Sequence, residues 1–591
     1  MGTASLLTDT IRRYIASSWP AFLPIAALVG LSIALFPSAG RDDAYITYWA
    51  AHTLREFGEI ANINGAHIEQ STSLLHVLVL GVLSFVTRLS VPAIGPPMSV
   101  VFGVVTVIYT YEFARLYVGR WYAMGAAMIV ATAAPFVYWT TGGLEGTMTA
   151  LAATALLYHL TRYMERPGAG KPPATVWVGM GAFLLARPEA IFVIASVLLA
   201  MFVLLRIRGI TVADERLEDY ALAIRKVMWA ALAAGVLMAT IVAFKTLYFG
   251  DWLPQPVAAK LGGSAFLASL GDGVEYLTSA LMPPPVSLLP FFAVAGAVYI
   301  ARRFVRDEPE FIGGLVLALY AVAYIAFIFL VGGDWMEGSR FIVPVVPALA
   351  VLAVVIIPRI KLRDLQVYAI GGIIAFHIVG TVWFAKFGSV STPIWEVSQV
   401  EEQSLPIERY SWFARPNRTH LRDMPVVEEL GSVIARLQPE ADGKLVVMSG
   451  QAGFVPYHAL GPHYGEVEFI DRRGVTTPHF TDCEITGEVE RDSTGLLRVL
   501  PRYLEFADDI ARRCGVARPH VIFELDLPEL TIEDIVTRHG YVVVYRQTGK
   551  IQTSKTLQGI EVLAHEFIAV REDLADVFDR SLPKVREWSD P

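Results

Sequence analysis

Two adjacent carboxylates, Asp42 and Asp43, follow directly on the first long apolar stretch of the sequence. A carboxylate at that depth can take a proton from an acceptor hydroxyl while a sugar leaves a phosphate. An acid beside it raises its proton affinity, which suits a general base. The residues leave open which of the two would be the base. Three cations, Arg187, Lys260 and Arg340, are candidates to meet the departing phosphate, and a guanidinium grips phosphate oxygens in a fork. Further acids stand in short polar runs between apolar blocks. Glu145 ends Thr141-Gly142-Gly143-Leu144-Glu145, Glu189 ends Arg187-Pro188-Glu189, and Asp334 lies in Gly332-Gly333-Asp334-Trp335-Met336-Glu337-Gly338-Ser339-Arg340. Each has a plainer reading: Asp42 as a solvated pair with Arg41, Arg187 and Glu189 as a mutual ion pair, and Glu145 as a cap on the next helix. Taken together they suggest group transfer from a lipid-phosphate donor. A divalent cation at the leaving phosphate is compatible with them.

The elements that must position these residues are membrane helices. Hydrophobic residues make up 54% of the chain and charged ones 18%, too apolar for a soluble globular protein of 591 residues. The apolar residues come in blocks long enough for the roughly 20 residues that cross a bilayer. Spans are expected near 20–40, 96–114, 122–140, 144–161, 174–187, 189–205, 227–249, 280–301, 311–331, 341–358 and 365–388. The first, with no small-residue cleavage site before it, reads as a retained anchor. Leu74–Thr87 is apolar but too short to cross comfortably, which suits a re-entrant or interfacial helix. Alternate connections hold eighteen and eight Lys and Arg residues respectively, and the richer set belongs in the cytoplasm. All the residues singled out above then share the outer face. Ionisable groups at a membrane edge are costly, and their default reading is functional. The expected organisation is a transmembrane domain over 1–388 and a soluble, periplasmic α/β domain over 389–591, in the cytoplasmic (inner) membrane.

The order Asp-Asp-Ala-Tyr-Ile-Thr (42–47), Asn-x-Gly with Glu-x-x-Thr-Ser (62–73), Gly-Leu-Glu (143–145), Arg-Pro-Glu (187–189), Tyr-Phe-Gly-Asp-x-Leu-Pro (248–254) with Lys260, and Gly-Gly-Asp-x-Met-x-Gly-x-Arg (332–340) resembles the GT-C membrane glycosyltransferases. Among these it is most similar to the mycobacterial terminal arabinofuranosyltransferase (AftB) family, over about residues 40–345. The resemblance implies a polytopic GT-C fold and a decaprenyl-phosphoryl arabinofuranose donor, with a cell-envelope polysaccharide or glycolipid as acceptor. It places the catalytic centre at Asp42 and Asp43, and lines the donor site with Glu145, Arg187, Glu189, Lys260, Asp334 and Arg340. In-line attack on a phosphate-linked sugar would invert the anomeric centre. The wider expectation is a polyprenyl-phosphate-dependent transferase of arabinofuranose or of another sugar, such as mannose or an aminoarabinose, moved to a lipid or protein. The alternative from another class is a lipid-linked sugar transporter. That would favour internal repeats with broken helices in matching halves, and none is found.

In the C-terminal part, Leu445–Gly450, Val467–Asp471, Pro519–Leu525 and Tyr541–Tyr545 read as short strands, and Val426–Leu437 and Tyr503–Cys514 have helical spacing. Gly450-Gln451-Ala452-Gly453, with Tyr457 after it, reads as a strand-to-helix turn or a sugar-contacting loop. Cys483 and Cys514 are compatible with one disulfide outside the cytoplasm. No Cys/His spacing suggests zinc, and no basic patch with interleaved aromatics points to nucleic acid. His76 and His377, in apolar stretches, read as core residues. Reporter fusions after Arg166, Arg225 and Arg306 are expected to report cytoplasm, and one at Gly453 the opposite face. A cytoplasmic signal at Gly453 would mean that Leu74–Thr87 crosses and that the scheme inverts after it.

Overall fold

The computed structural model describes residues 19–36, 42–168, 170–211, 216–261, 266–281, 288–306, 308, 311–334, 336, 338–387, 418–440, 443–472, 474–477, 517–526, 536–552, 561–578 and 584–587. Arg41, Cys483, Cys514 and the expected helix Tyr503–Cys514 lie outside them.

The first two thirds of the chain is a helical bundle. Its helices are α1 (Phe22–Leu35), α2 (Asp42–Phe57), α3 (Leu74–Thr87), α4 (Val91–Ala114), α5 (Arg120–Thr132), α6 (Ala134–Thr140), α7 (Gly146–Glu165), α8 (Ala174–Ala186), α9 (Ala190–Thr211) and α10 (Leu217–Phe249). They continue with α11 (Gln255–Leu261), α12 (Phe266–Leu281), α13 (Leu289–Val305), α14 (Ile312–Val331), α15 (Val346–Ile356) and α16 (Arg363–Phe387). Among the described residues α4, α9, α10, α14 and α16 are each long and apolar enough to cross a membrane, and α5 with α6 forms a sixth candidate bent by 66°. The protein is therefore a multi-pass membrane protein. A helix meets each of the expected spans, but several are shorter than expected, such as α8 at 13 residues. The span expected at 280–301 is displaced, because its helix begins at Leu289. Pro283, Pro284 and Pro285 precede it, and proline in a helix interior removes a hydrogen bond and clashes with the preceding turn.

The missing element that matters most for the site is α2. Its segment reads as a loop, yet it is a 16-residue helix with Ala44 to Ala51 continuously buried. A helix buried on all sides shows no amphipathic stripe. Polar anchors fix it. Tyr48 donates its hydroxyl to the Gly143 carbonyl (3.0 Å), Thr47 and Ser71 share a hydrogen bond (2.8 Å), and the Gln70 amide donates to the Ile46 carbonyl (2.5 Å). A Cβ on Gly95 of α4 would fall 2.1 Å from the Tyr48 hydroxyl, so that helix admits α2 only where it has no side chain.

Beyond α16 the described chain resumes with α17 (Arg418–Leu437) and the strands β1 (Leu445–Ser449), β2 (Val467–Asp471), β3 (Val521–Asp526), β4 (Tyr541–Gln552), β5 (Glu561–Arg571) and β6 (Lys584–Glu587). They form one sheet in the order β2-β1-β3-β5-β4-β6. β1 runs parallel to both neighbours, whereas β5 is antiparallel to β3 and β4. The expected strands are present, and β4 is longer than expected. β5, not anticipated, buries Phe567, Ile568, Ala569 and Val570 in succession; a strand covered on both faces loses the alternation by which strands are recognised.

Glycines set the closest helix approaches. A Cβ on Gly296 of α13 would lie 2.0 Å from the Leu352 carbonyl oxygen of α15, whereas one on Gly235 of α10 meets nothing within 4 Å. Gly296→Ala is expected to destabilise the bundle by about 1–3 kcal/mol through overpacking. Thermal unfolding in detergent should fall for Gly296→Ala and stay near wild type for Gly235→Ala.

Candidate active site at one end of the bundle

α8 stops at Arg187 because Pro188 follows: the residue before a proline is driven out of the helical region, and Arg187 is extended at φ −156° and ψ 139°. The chain re-enters a helix within three residues, so Arg187 and Glu189 stay at one level. The Arg187 Nε–H donates to Glu189 at 2.9 Å, and its Nη1 donates to Glu145 at 2.6 Å and to the Thr72 hydroxyl at 3.1 Å. Tyr324 of α14 donates its hydroxyl to Glu189 at 3.1 Å. All three charged side chains are at most 7% exposed. The mutual Arg187–Glu189 ion pair is present, but it is half of a triad. Glu145 occupies the position before α7, where a helix-dipole reading puts it, but its side chain makes no capping hydrogen bond and turns to Arg187 instead.

A second ion pair lies alongside. The loop after α14 turns through Gly332, Gly333 and Gly338 at φ of 78°, 81° and 71°. That left-handed region suits glycine. A Cβ on Gly333 would strike the Tyr276 ring at 2.3 Å, and one on Gly338 the Tyr138 ring at 2.5 Å. Trp139 pins the loop by donating its indole N–H to the Gly338 carbonyl at 3.0 Å. The loop brings the Arg340 Nε to 2.8 Å from the Asp334 carboxylate, which is 0% exposed. Phe341 separates the arginines, with Arg187 5.0 Å and Arg340 5.7 Å from its ring centre. Burial disfavours the Arg340 cation, but Asp334, Glu145 and Asp43 favour it, and its pKa ends raised. The Asp43 charge acts on Arg340 as the weakest of these influences.

Asp42 faces another way. Its carboxylate accepts the backbone N–H of Phe454 at 2.6 Å, so the acidic pair lies between the bundle and the C-terminal sheet domain. The turn at 450–453 joins β1 to a short helical segment, as the strand-to-helix reading has it. A third buried pair, Glu69 with Lys245 at 2.8 Å, holds the segment before α3 against α10. Burial raises the Glu69 pKa and Lys245 opposes it, leaving it raised.

The structure thus brings Asp43, Glu145, Arg187, Glu189, Asp334 and Arg340 together. Lys260 falls on α11 at the same end of the bundle, where the Gln255 N–H donates to the Glu69 carbonyl at 2.9 Å; its side chain lies outside the described residues. Thr72, from the Glu-x-x-Thr-Ser run, joins the site without having been singled out, and Tyr324 and Phe341 join it unannounced by any sequence motif, since aromatics in apolar runs are ordinary. His377 is a satisfied core residue whose ring meets the Ile129 carbonyl at 3.1 Å. His76 is also buried, near Glu145, but neither ring nitrogen has a hydrogen-bond partner among the described residues. Among the described residues no three His, Cys, Asp or Glu side chains are grouped to hold a metal ion. Glu145, Glu189 and Asp334 are already engaged by arginines, so the described residues do not fit a metal cage.

Residues 95–217 match the family model described as dolichyl-phosphate-mannose-protein mannosyltransferase. No curated protein sequence matches the chain. Three solved structures resemble it. The archaeal oligosaccharyltransferase AglB from Archaeoglobus fulgidus, in complex with an inhibitory peptide and a dolichol-phosphate, is 13% identical over 96% of this chain and 77% of its own, with a TM-score of 0.52. An Archaeoglobus fulgidus oligosaccharyltransferase complexed with Zn and sulfate is 15% identical over 85% and 67%, with a TM-score of 0.49. ArnT from Cupriavidus metallidurans, bound to undecaprenyl phosphate, is 14% identical over 93% and 98%, with a TM-score of 0.48. The first of these shows the shared fold: the chain has the GT-C architecture of a helical membrane domain carrying a C-terminal sheet-containing domain.

The pairing of Arg340 separates fold from binding. Removing one partner of a buried pair leaves an uncompensated charge and costs about 3–5 kcal/mol. Arg340→Ala should therefore destabilise the protein by roughly that amount, and Arg340→Ala with Asp334→Asn should regain most of it. Thermal unfolding of both variants checks this; equal losses would show that Asp334 does not depend on Arg340.

Proposed function

We propose that the chain is an inverting glycosyltransferase that moves a sugar from a polyprenyl-phosphate donor to a cell-envelope acceptor at the periplasmic face of the membrane. The observation that carries the reading is the meeting of the Arg187 and Arg340 networks at one end of a GT-C bundle, where α2 begins with Asp42 and Asp43. Asp43 takes the proton of an acceptor hydroxyl. The hydroxyl oxygen forms a bond to the anomeric carbon, and the bond from that carbon to the phosphate oxygen breaks. The phosphate leaves with the electron pair and the anomeric configuration inverts. Arg340, whose Nε meets Asp334, is the guanidinium assigned to grip phosphate oxygens. Arg187 is pinned by three of its five N–H groups and chiefly holds the frame.

The charge count assigns Lys260 a part. Asp43, Glu145, Glu189 and Asp334 face Arg187 and Arg340, four carboxylates to two guanidinium groups. A phosphate entering such a site needs a further cation, and Lys260 is this chain's own.

The favoured sugar is arabinofuranose, which rests on the motif resemblance. A second reading, transfer of mannose to protein, is favoured by the match of residues 95–217 to the mannosyltransferase family model. Purified protein supplied with polyprenyl-phosphate arabinofuranose, mannose and aminoarabinose, each radiolabelled, decides between them by which label reaches an acceptor. With the productive donor, Asp43→Asn should lower turnover about 10²–10⁴-fold while donor binding persists. Near-normal turnover in that variant would remove Asp43 as the base.

A further inference from the structure

We propose that the C-terminal domain completes this active site: its Gly453–Phe454 turn fixes Asp42 as a positioning residue and leaves Asp43 as the group that takes the proton. The inference rests on the transferase reading and adds to it the role of a domain that no motif explains.

Several independent contacts hold the domain against the segment carrying the acids and against its neighbour α11. The Phe454 N–H donates to the Asp42 carboxylate at 2.6 Å, and hydrogen bonds to a charged acceptor are short and strong. The chain comes this close only because residue 453 is glycine, since a Cβ there would fall 2.0 Å from the Asp42 carbonyl oxygen. Aromatic rings seat the turn on α2: Tyr45 meets Phe454 edge-on at 4.9 Å and Tyr457 at 5.3 Å. Away from the rings, Asn64 exchanges two hydrogen bonds with Phe469 of β2, at 2.8 and 2.7 Å. The Asn62 amide donates to the Thr476 carbonyl at 3.0 Å, and that of Gln255 to Gly474 at 2.8 Å. The domain thus presents the carboxyl ends of its parallel strands β1 and β2 to the acids, the edge at which open α/β sheets bind and act.

The two acids are adjacent on one helix turn but have different neighbours. Asp42 is held by a backbone donor of the other domain, while the Asp43 charge is among those that favour the Arg340 cation. A group engaged by a fixed N–H is a poor carrier of a transferred proton but a good anchor for the helix end that presents its neighbour. Displacing reacting groups by about 1 Å can cost on the order of 100-fold in rate.

Gly453→Ala is expected to lower kcat tenfold to a hundredfold, with donor KM within about twofold of wild type. Asp42→Asn, which can still accept the Phe454 N–H, should keep more turnover than Asp42→Ala. In the Asp42→Ala background, Gly453→Ala should cost no further turnover. Gly461→Ala, whose Cβ would press on the Trp49 ring at 2.8 Å, loosens the same docking without touching Asp42 and serves as comparator. Equal losses from Gly453→Ala and Gly461→Ala, or additive losses in the double variant, would overturn the proposal. Should Asp43→Asn turn over normally, the transferase site itself is wrong. Loss in Asp43→Asn but none in Gly453→Ala defeats only the role of the turn. A readout independent of activity is amide hydrogen exchange at Phe454 in the full chain. It should be slow in wild type and Asp42→Asn and faster in Asp42→Ala; an unchanged rate in Asp42→Ala would also overturn the proposal.

Discussion

The guanidinium of Arg187, held between Glu145 and Glu189, is the interaction on which the arrangement of the site depends. Its partners come from the start of α7, the start of α9, the segment before α3 and, through Tyr324, from α14. Each helix is apolar over most of its length, and apolar packing in lipid does little to set register, because the tails are as apolar as the side chains. A multi-dentate charged contact does set it, since each N–H must meet its own oxygen. Four segments far apart in sequence are thus brought to a common level.

The second constraint is the docking of the sheet domain on α2. That helix is enclosed by the bundle on one side and by the 450–458 segment on the other, so neither domain buries it alone. Its acids therefore lie at a boundary, with Asp42 turned to the sheet domain and Asp43 to the arginines. Asn62 and Asn64 reinforce the boundary through main-chain groups, so the docking depends on the course of the β2 strand as well as on particular side chains.

Much of this was legible in the sequence, for identifiable reasons. Uncharged blocks mark the helices because lipid demands them, and turn residues mark the strands around β1 and β2. The polar runs at Asp42, Glu145, Arg187 and Asp334 stood out because charge beside apolar sequence is costly. What escaped was whatever burial conceals. α2 was read as a loop because a helix covered on every face has no stripe. β5 was missed because a central strand does not alternate. The partners of the charges were also hidden: the sequence allowed Glu145 to be a helix cap, and only the fold carries it to Arg187. Nor could any local pattern bring Phe454 to Asp42, more than four hundred residues away.

The charged network is not explained by stability. A buried ion pair repays its desolvation only with near-ideal geometry, and replacing one with apolar residues of similar volume is often neutral or stabilising. A bundle of this composition could pack that end with aliphatic residues, as α14 and α15 do along their length. Instead it keeps four buried acid–base pairs at one end: Glu145 and Glu189 each with Arg187, Asp334 with Arg340, and Glu69 with Lys245. The loop at the same end carries left-handed glycines at 332, 333 and 338, and those at 333 and 338 let it pass Tyr276 and Tyr138 on the way to Arg340. Polar groups held this rigidly, out of water, are already oriented before a ligand arrives, and preorganised charge needs little rearrangement as a reaction proceeds. The cost in folding stability therefore makes sense as the condition for handling a charged group at the membrane edge.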